Sequence, residues 1–262
     1  MDFYIFSDKI NEVTELVDHS YSGGLFVYNT LSSDFFTQIS RTIIEKQKFK
    51  YMVAIRPYTI SPQYLCKINE SINNIDQDRI EINFISGHTP QHETDSGDVL
   101  GSINDSSSTD DKANYLIEYI DVLEKNNKVL PDYYVSVINK DMVNKTLKHN
   151  SKLLIEYQDY KDEIYNTENR NVMIYFWAVL RETKEELEDV RKQRLEKDYM
   201  YSKILYFTHK EFNDIVDELQ NKGINKILLY ANWIEKERSI LNNFVKQYKE
   251  KENKGKRLSY QH

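Results

Sequence analysis

Short runs of β-branched and aromatic residues alternate along the chain with longer segments whose apolar residues recur at helical spacing. This alternation is typical of repeated strand–helix units. Eight strands with intervening helices favour a closed (β/α)₈ TIM barrel of the α/β class over an open doubly wound sheet, although the pattern by itself leaves closure open. The predicted strands are Phe3–Phe6, Gly24–Tyr28, Lys50–Arg56, Glu81–Ser86, Tyr133–Val137, Lys152–Tyr157, Val172–Leu180 and Lys226–Tyr230.

Several helices between these strands have clear start and stop signals. Ser61 followed by Pro62 predicts an N-cap with proline at the first helical position. Gly223 is placed to end the helix before the last strand. We predict one barrel domain over residues 1–250 and a charged, frayed tail over residues 251–262. An apolar helical stripe is expected at Leu65, Ile68, Ile72 and Ile75, and capping boxes at Thr183 with Glu186 and at Thr208 with Glu211.

One polar stretch, from Ser86 to Asp111, interrupts the alternation between the fourth strand and the following helix. Loops longer than about 12–15 residues without regular structure are usually functional or disordered. In a barrel this stretch lies at the C-terminal rim, where active sites are built. The stretch is therefore either part of a site or a flexible surface insertion.

Composition and charge narrow the range of functions. The 262 residues carry a net charge of −7, which argues against general binding to phosphate backbones. No apolar run approaches the roughly 20 residues that span a bilayer, and the first residues lack a signal-peptide pattern. The single cysteine, Cys66, excludes an internal disulfide framework and is expected to be a partly buried, inert thiol. We therefore expect a cytoplasmic protein that binds neither nucleic acid nor membranes.

Four segments, in order along the chain, carry a resemblance to a known family. They are Tyr51-Met-Val-Ala-Ile-Arg-Pro57 with Ser61-Pro62, Asp78-Arg-Ile80 with Asn83-Phe-Ile-Ser-Gly87, Trp177-Ala-Val-Leu-Arg-Glu-Thr183, and Asn221-Lys-Gly-Ile-Asn-Lys-Ile-Leu-Leu229. The ordered set resembles luciferase-like flavin-dependent monooxygenases, and most closely their alkanesulfonate-monooxygenase branch. The likeness covers nearly the whole chain and implies a bacterial-luciferase-like barrel that lacks part of the usual insertions. Few residues separate Glu124 from Pro131, and only Arg191–Lys203 occupies the position of the insertion that closes over the flavin.

The resemblance implies an oxidoreductase in which reduced FMN and dioxygen oxygenate a small organic substrate, such as a sulfonate, an aldehyde or an alkane. The cofactor supplies the difficult chemistry, and the protein supplies binding, orientation and exclusion of water. A separate flavin reductase is implied as the source of reduced FMN. The family often pairs its barrels, so a homodimer, or a heterodimer with a homologous barrel, is also implied.

Candidate site residues follow from the same resemblance. Trp177 takes the position of a family histidine and Asn232 that of a family tyrosine, and His88 is added as a candidate general base. Arg56 is expected to contact the flavin, and its alternative role is an ion pair with a rim carboxylate such as Glu81. No metal site is expected, because His88, His92 and Asp98 lack a rigid scaffold. Flavin contacts are expected at Arg56, Ser86, Gly87, Lys112, Ser136 and Asn139, and substrate contacts at Tyr4, Phe6, Tyr28 and Ser32.

Several of these positions depart from the family pattern. Leu31-Ser32-Ser33 stands where the family has a cysteine, and Ser136-Val-Ile-Asn139 stands where it has a glycine-rich phosphate turn. Lys112-Ala113 replaces an Arg-Tyr pair, and lysine lacks the bidentate fork of arginine. Two hypotheses follow. The chain is either a monooxygenase with an altered pocket, or a catalytically degenerate barrel, possessing no cofactor of its own, that serves a homologous monooxygenase as a non-catalytic subunit. A pocket for another cofactor or metal is the third option.

Overall fold

Eight parallel strands close into a barrel, which confirms the predicted fold class. The computed structural model describes residues 1–7, 9–28, 35–45, 48–86, 107–126, 130, 132–137, 140–165, 167, 171–195, 204–230 and 235–259. The last strand pairs with both the first and the seventh, and this pairing closes the ring. The strands are β1 (Asp2–Phe6), β2 (Gly23–Val27), β3 (Lys50–Ile55), β4 (Ile80–Phe84), β5 (Asp132–Ser136), β6 (Lys152–Glu156), β7 (Val172–Arg181), β8 (Leu205–Thr208) and β9 (Lys226–Tyr230).

The strand β8 was not predicted, and it lies outside the barrel ring. The first half of β7 pairs with β6 and β9, whereas its second half extends past them and pairs with β8. Ala178 is in register with Leu205, and Arg181 with Thr208. The strand is four residues long and follows Arg191–Lys203, the segment that the resemblance implies as an insertion remnant, and no strand was assigned to it from the sequence.

The helices between the strands begin and end largely where the capping signals predict. The Ser61 hydroxyl accepts a hydrogen bond from the Tyr64 amide at 3.3 Å, and Thr208 and Glu211 form a reciprocal capping box. Gly223 has a φ of 82°, the left-handed conformation that a helix-ending glycine adopts without strain. The helices are α1 (Val13–Asp18), α2 (Phe35–Glu45), α3 (Pro62–Asn73), α4 (Thr109–Asn126), α5 (Lys140–Lys145), α6 (Tyr157–Lys161), α7 (Lys184–Leu195), α8 (His209–Asn221) and α9 (Glu235–Ser259).

One local prediction about the helices was wrong. Ile75 does not belong to the apolar stripe, because α3 ends at Asn73 and the Ile75 side chain is exposed. The helix α9 extends to Ser259, and Glu252 within it accepts a hydrogen bond from the Met1 amino group at 3.3 Å. None of the described helices is long and apolar enough to cross a membrane.

Alternation along the strands divides the core into two layers. Outward-facing residues such as Phe3, Val53 and Ile82 pack against the helices and form the larger apolar cluster. Inward-facing residues fill the barrel, so the barrel is a packed core and not a pore. The inner cluster consists of Tyr4, Leu25, Met52, Ala54, Tyr134, Leu154, Met173 and Leu228.

Candidate functional site at the barrel mouth

The side chains one layer above the inner cluster surround the C-terminal end of the barrel, which we call the mouth. Side chains two positions apart on a strand point to the same face. Tyr4, on β1, is thus followed by Phe6, and Leu154, on β6, is followed by Glu156. The same alternation applies to the other barrel strands. The mouth residues used below are Phe6, Arg56, Ser136, Glu156, Tyr175, Trp177 and Tyr230, and the inward position at the end of β4 is Ile85, which packs against the inner cluster.

Three neighbouring strands line one half of the mouth with stacked aromatic rings. Tyr230 stacks on Trp177, with ring centroids 4.6 Å apart and an interplanar angle of 14°. On its other side Tyr230 stacks on Phe6 at 5.1 Å and 17°, and Tyr175 meets it edge-on at 5.6 Å. The stack forms because β9 lies between β1 and β7, with Trp177 in register with Tyr230. This aromatic wall is a flat apolar surface at the barrel opening.

The other half of the mouth is polar. The Tyr175 hydroxyl donates a hydrogen bond to Glu156 Oε2 at 3.4 Å, where the wall meets β6. The Ser136 hydroxyl donates to Asn83 Oδ1 at 3.0 Å, inside the barrel between β5 and β4. Burial, followed by the charge of Glu156, raises the pKa of Tyr175 well above its ordinary value. Tyr175 is therefore a protonated hydrogen-bond donor at neutral pH.

Ser86 supplies a polar atom without a partner at the end of β4. The residue is 3% exposed, and its hydroxyl makes no hydrogen bond to any part of the chain that the structure describes. A buried hydroxyl without a hydrogen bond costs roughly 1–3 kcal/mol. By strand alternation Ser86 lies on the same side as Phe84, towards the helices, whereas Ile85 turns inward. Arg56 lies half-buried on the neighbouring strand end, where its backbone carbonyl accepts hydrogen bonds from Thr59.

Two ion pairs fasten the start of α9 to the strand ends around the mouth. Arg181 at the end of β7 makes a bidentate pair with Glu237, with distances of 2.8 and 2.6 Å, and both side chains are buried. Arg238 contacts Glu12 at 2.7 Å, and Glu12 also accepts a hydrogen bond from the buried Ser7 hydroxyl, which follows β1. Burial opposes ionisation of Glu12, but Arg238 and Ser7 hold its pKa below the ordinary value. These contacts hold the start of α9 against the end of β7 and the segment that follows β1.

Four of the predicted site residues meet at the mouth. The cofactor candidates Arg56 and Ser136 lie on its polar half, and Phe6 and Trp177 belong to the aromatic wall. Ser86 follows β4 on the helix side, and Lys112 lies half-buried in the first turn of α4, the helix that follows β4. Five further candidates lie outside the described residues: His88, Asn232, Gly87, Asn139 and Ser32.

Tyr4 and Tyr28 do not line the mouth, and the assignment of both to substrate contact needs correction. Tyr4 is 1% exposed and lies one layer below Phe6, where the ammonium group of Lys226 approaches its ring at 5.4 Å. Tyr28 follows β2 and packs on the helix side against Phe36 of α2, with ring centroids 5.7 Å apart. Tyr4 thus faces inward but lies too deep to line the opening, whereas strand alternation turns Tyr28 to the helix side.

The proposed alternative pairing of Arg56 with Glu81 is also wrong. Glu81 is in register with Met52 and therefore lies one strand length below the mouth. There it pairs with Lys226 at 2.5 Å, at the N-terminal end of the barrel. The sequence analysis also missed three mouth residues, Glu156, Tyr175 and Tyr230. Their inward positions follow from extending the alternation of each predicted strand to its last residue.

Comparisons with known proteins support this fold. No family model and no curated protein matches the chain. The structure is similar to riboflavin lyase in complex with modified FMN and riboflavin, with a TM-score of 0.67 and 9% identity, covering 97% of this chain and 92% of that chain. EDTA monooxygenase from Chelativorans sp. BNC1 matches with a TM-score of 0.66 and 9% identity, covering 97% and 94%.

A third similar structure carries a different cofactor in its name. The coenzyme F420 dependent tetrahydromethanopterin reductase from Methanopyrus kandleri matches with a TM-score of 0.61 and 11% identity, covering 94% of this chain and 97% of that chain. At such identities the likeness establishes a common fold alone. The choice of cofactor and substrate therefore depends on the mouth.

Proposed function

We propose that this chain is a luciferase-like flavin-dependent monooxygenase whose mouth binds reduced FMN and a small organic substrate. The fold that it shares with EDTA monooxygenase and riboflavin lyase supports the class of enzyme. One observation carries the proposal: a stacked aromatic wall of Phe6, Tyr230 and Trp177 lies across the barrel mouth from polar side chains at the strand ends, which are Arg56, Ser136 and Glu156. The resemblance of this chain to the alkanesulfonate-monooxygenase branch remains a prediction.

The mouth suits a flat heteroaromatic ring with a polar edge. Aromatic side chains bind such rings by stacked or edge-to-face contacts, at about 0.5–1.5 kcal/mol per contact beyond the area that is buried. Phe6 and Trp177 stack on Tyr230, so Tyr230 offers its ring edge to a ligand. The Ser136 hydroxyl, which donates to Asn83, can also accept a hydrogen bond from a ring N–H. When bound, reduced FMN supplies the chemistry of oxygen activation, and the surrounding residues orient the ring and exclude water. Arg56 and Lys112 are the described cations that we assign to the phosphate group.

Glu156 and Tyr175 are the groups that we assign to proton transfer in place of the histidine expected at Trp177. An indole N–H donates a hydrogen bond but does not exchange its proton in catalysis, so Trp177 acts through stacking. Glu156, in contact with the Tyr175 hydroxyl at 3.4 Å, provides a carboxylate at the junction of the two halves. His88 and Asn232 remain candidates outside the described residues.

An anaerobic calorimetric titration with reduced FMN tests the proposal. We expect saturable micromolar binding that weakens about tenfold in Tyr230→Leu and in Arg56→Gln, because each variant removes a contact of about 1–2 kcal/mol. Tyr64→Leu is the control for the loss of a tyrosine, since Tyr64 is exposed on α3 and is not one of the mouth residues. Absence of binding at millimolar FMN would overturn the proposal. Binding of coenzyme F420 in preference to FMN would keep the aromatic site but change the cofactor.

A second candidate function is a non-catalytic subunit that supports a homologous monooxygenase. The observation that favours it is the placement of Trp177 in the aromatic stack, at the position where the resemblance implies a histidine. In that case reduced FMN produces no substrate oxidation unless a homologous barrel is added. An active enzyme that receives reduced FMN from a separate flavin reductase oxidises a sulfonate, aldehyde or alkane without a homologous barrel.

Two further expectations are tested separately. Sedimentation with and without the homologous barrel tests the expected homodimer or heterodimer, and fractionation of cells tests the cytoplasmic location.

A further inference from the structure

A cavity of about 600 Å³ opens at the N-terminal end of the barrel, opposite the mouth. It lies among the first residues of β6, β7 and β9 and the end of α8. Its volume falls within the range of about 300–1,000 Å³ that is typical of small-molecule sites. Tyr134 from the inner cluster and Tyr160 from α6 contribute aromatic walls, and Asn171 and Asn225 contribute amides. Neither the resemblance nor the proposed function accounts for this cavity.

Three lysines line the cavity, and they are the charged side chains among its described lining residues. These are Lys152, Lys222 and Lys226. Each has one carboxylate partner in the described part of the chain, at 2.6 Å for Asp132, 2.7 Å for Glu218 and 2.5 Å for Glu81. An ammonium group carries three N–H donors, so each of the three lysines retains donors for a further ligand.

Two of these ammonium groups lie over the same aromatic ring. The Nζ atoms of Lys152 and Lys226 both lie 5.5 Å from the ring centroid of Tyr134, which is 2% exposed. The third ammonium, on Lys222, lies 5.9 Å from the ring of Tyr160. Ammonium groups placed over aromatic faces are attracted to them and lose freedom of movement. The cavity therefore presents positioned donors around a partly apolar space.

We propose that this N-terminal cavity binds a phosphorylated small molecule. Lysine ammonium groups act as compact point charges that suit the several oxygens of a tetrahedral phosphate group. A planar carboxylate is matched better by the fork of arginine, and no arginine is present among the described lining residues. Tyr134 and Tyr160 offer apolar surface to the organic part of the ligand. The proposal does not depend on flavin binding at the mouth.

Calorimetry with inorganic pyrophosphate at constant ionic strength tests this site on the full chain. We expect saturable binding of pyrophosphate to the unaltered chain. The affinity should fall about tenfold in each of two single variants, Lys152→Gln and Lys222→Gln, because each variant loses one charge-assisted hydrogen bond to the ligand. Asp132 and Glu218, the carboxylates left behind, have exposed side chains, so both variants are expected to fold. Lys148→Gln is the matched control, because Lys148 also pairs with one carboxylate, Asp121, but lies outside the cavity.

The outcomes separate a specific site from general charge attraction. Unchanged pyrophosphate affinity in Lys148→Gln, together with weakened affinity in the two cavity variants, supports the proposal. Equal weakening in all three variants, or no binding at about 10 mM pyrophosphate, overturns it. Malonate that binds as tightly as pyrophosphate overturns the assignment to phosphate. Reduced FMN titrated in parallel reports on the mouth, so failure of either site is visible separately.

Discussion

Replacing Lys226 with methionine is expected to destabilise the barrel strongly through the carboxylate that it leaves behind. Lys226 Nζ lies 2.5 Å from Glu81 Oε1, inside the N-terminal end of the barrel. The Glu81 side chain is 2% exposed, whereas that of Lys226 is 26% exposed. The second carboxylate oxygen of Glu81 makes no hydrogen bond within the described residues. In Lys226→Met the carboxylate therefore stays buried without a compensating charge.

The size of the effect follows from this difference in burial. Breaking a buried ion pair by removing one partner costs about 3–5 kcal/mol, because the other charge is left desolvated. We expect this range for Lys226→Met. Glu81→Met is expected to cost less, about 1–2 kcal/mol, because the partly exposed ammonium group of Lys226 can reach water. The double variant removes both charges and is expected to recover most of the loss.

Urea unfolding followed by circular dichroism measures these differences. At an m-value of about 2 kcal/mol/M, a loss of about 4 kcal/mol lowers the unfolding midpoint by about 2 M. The pair of Lys145 with Asp141 is the matched control, because its distance is also 2.5 Å but its side chains are 33% and 56% exposed. Lys145→Met is expected to change stability by less than about 1 kcal/mol. Equal losses in Lys226→Met and Lys145→Met, or additive losses in the Glu81 and Lys226 double variant, would refute the reasoning.

Three further predictions test other parts of the fold. Burial raises the pKa of Cys66 to about 11, so at pH 8 a thiol reagent should label the native protein far more slowly than the urea-unfolded protein. Gly23→Ala places a Cβ atom 2.8 Å from the carbonyl of Lys50 and against the Tyr4 ring, and a loss of about 1–3 kcal/mol is expected in urea unfolding. Hydrogen bonds from Thr208 lower the pKa of Glu211, so its contribution to stability is present above the unfolded value of about 4.3 and is lost as the pH falls through the folded value. Glu211→Gln should therefore destabilise the protein at pH 7 and make little difference at pH 3, and equal losses at both would contradict this assignment.

Local signals in the sequence were sufficient to predict most of the elements of the barrel. The eight barrel strands follow from apolar and aromatic runs, and the helix starts at Ser61 and Thr208 follow from side chains that cap amides three residues later. Such signals act over a few residues, so they are present in the sequence itself. They failed at β8, where a short strand pairs only with an extension of β7.

The composition of the mouth depends on which strands become neighbours. Phe6, Trp177 and Tyr230 form one wall because β9 is inserted between β1 and β7, while β8 is displaced to the outer end of β7. The sequence analysis identified Phe6 and Trp177 but not the ring between them. Strand neighbours were decided by the closure of the sheet, which no local pattern specifies.

Short-range patterns thus predicted the periodicity, most helix boundaries and the eight strand–helix units, but they left the closure of the barrel open. The tertiary structure alone decided that Glu81 pairs with Lys226, 145 positions away, and that three lysines surround one cavity at the far end from the mouth. The difference lies in the sequence separation over which these interactions act. Capping and periodicity act between residues a few positions apart, whereas ion pairs and ring stacks across a barrel depend on packing that the whole chain must complete.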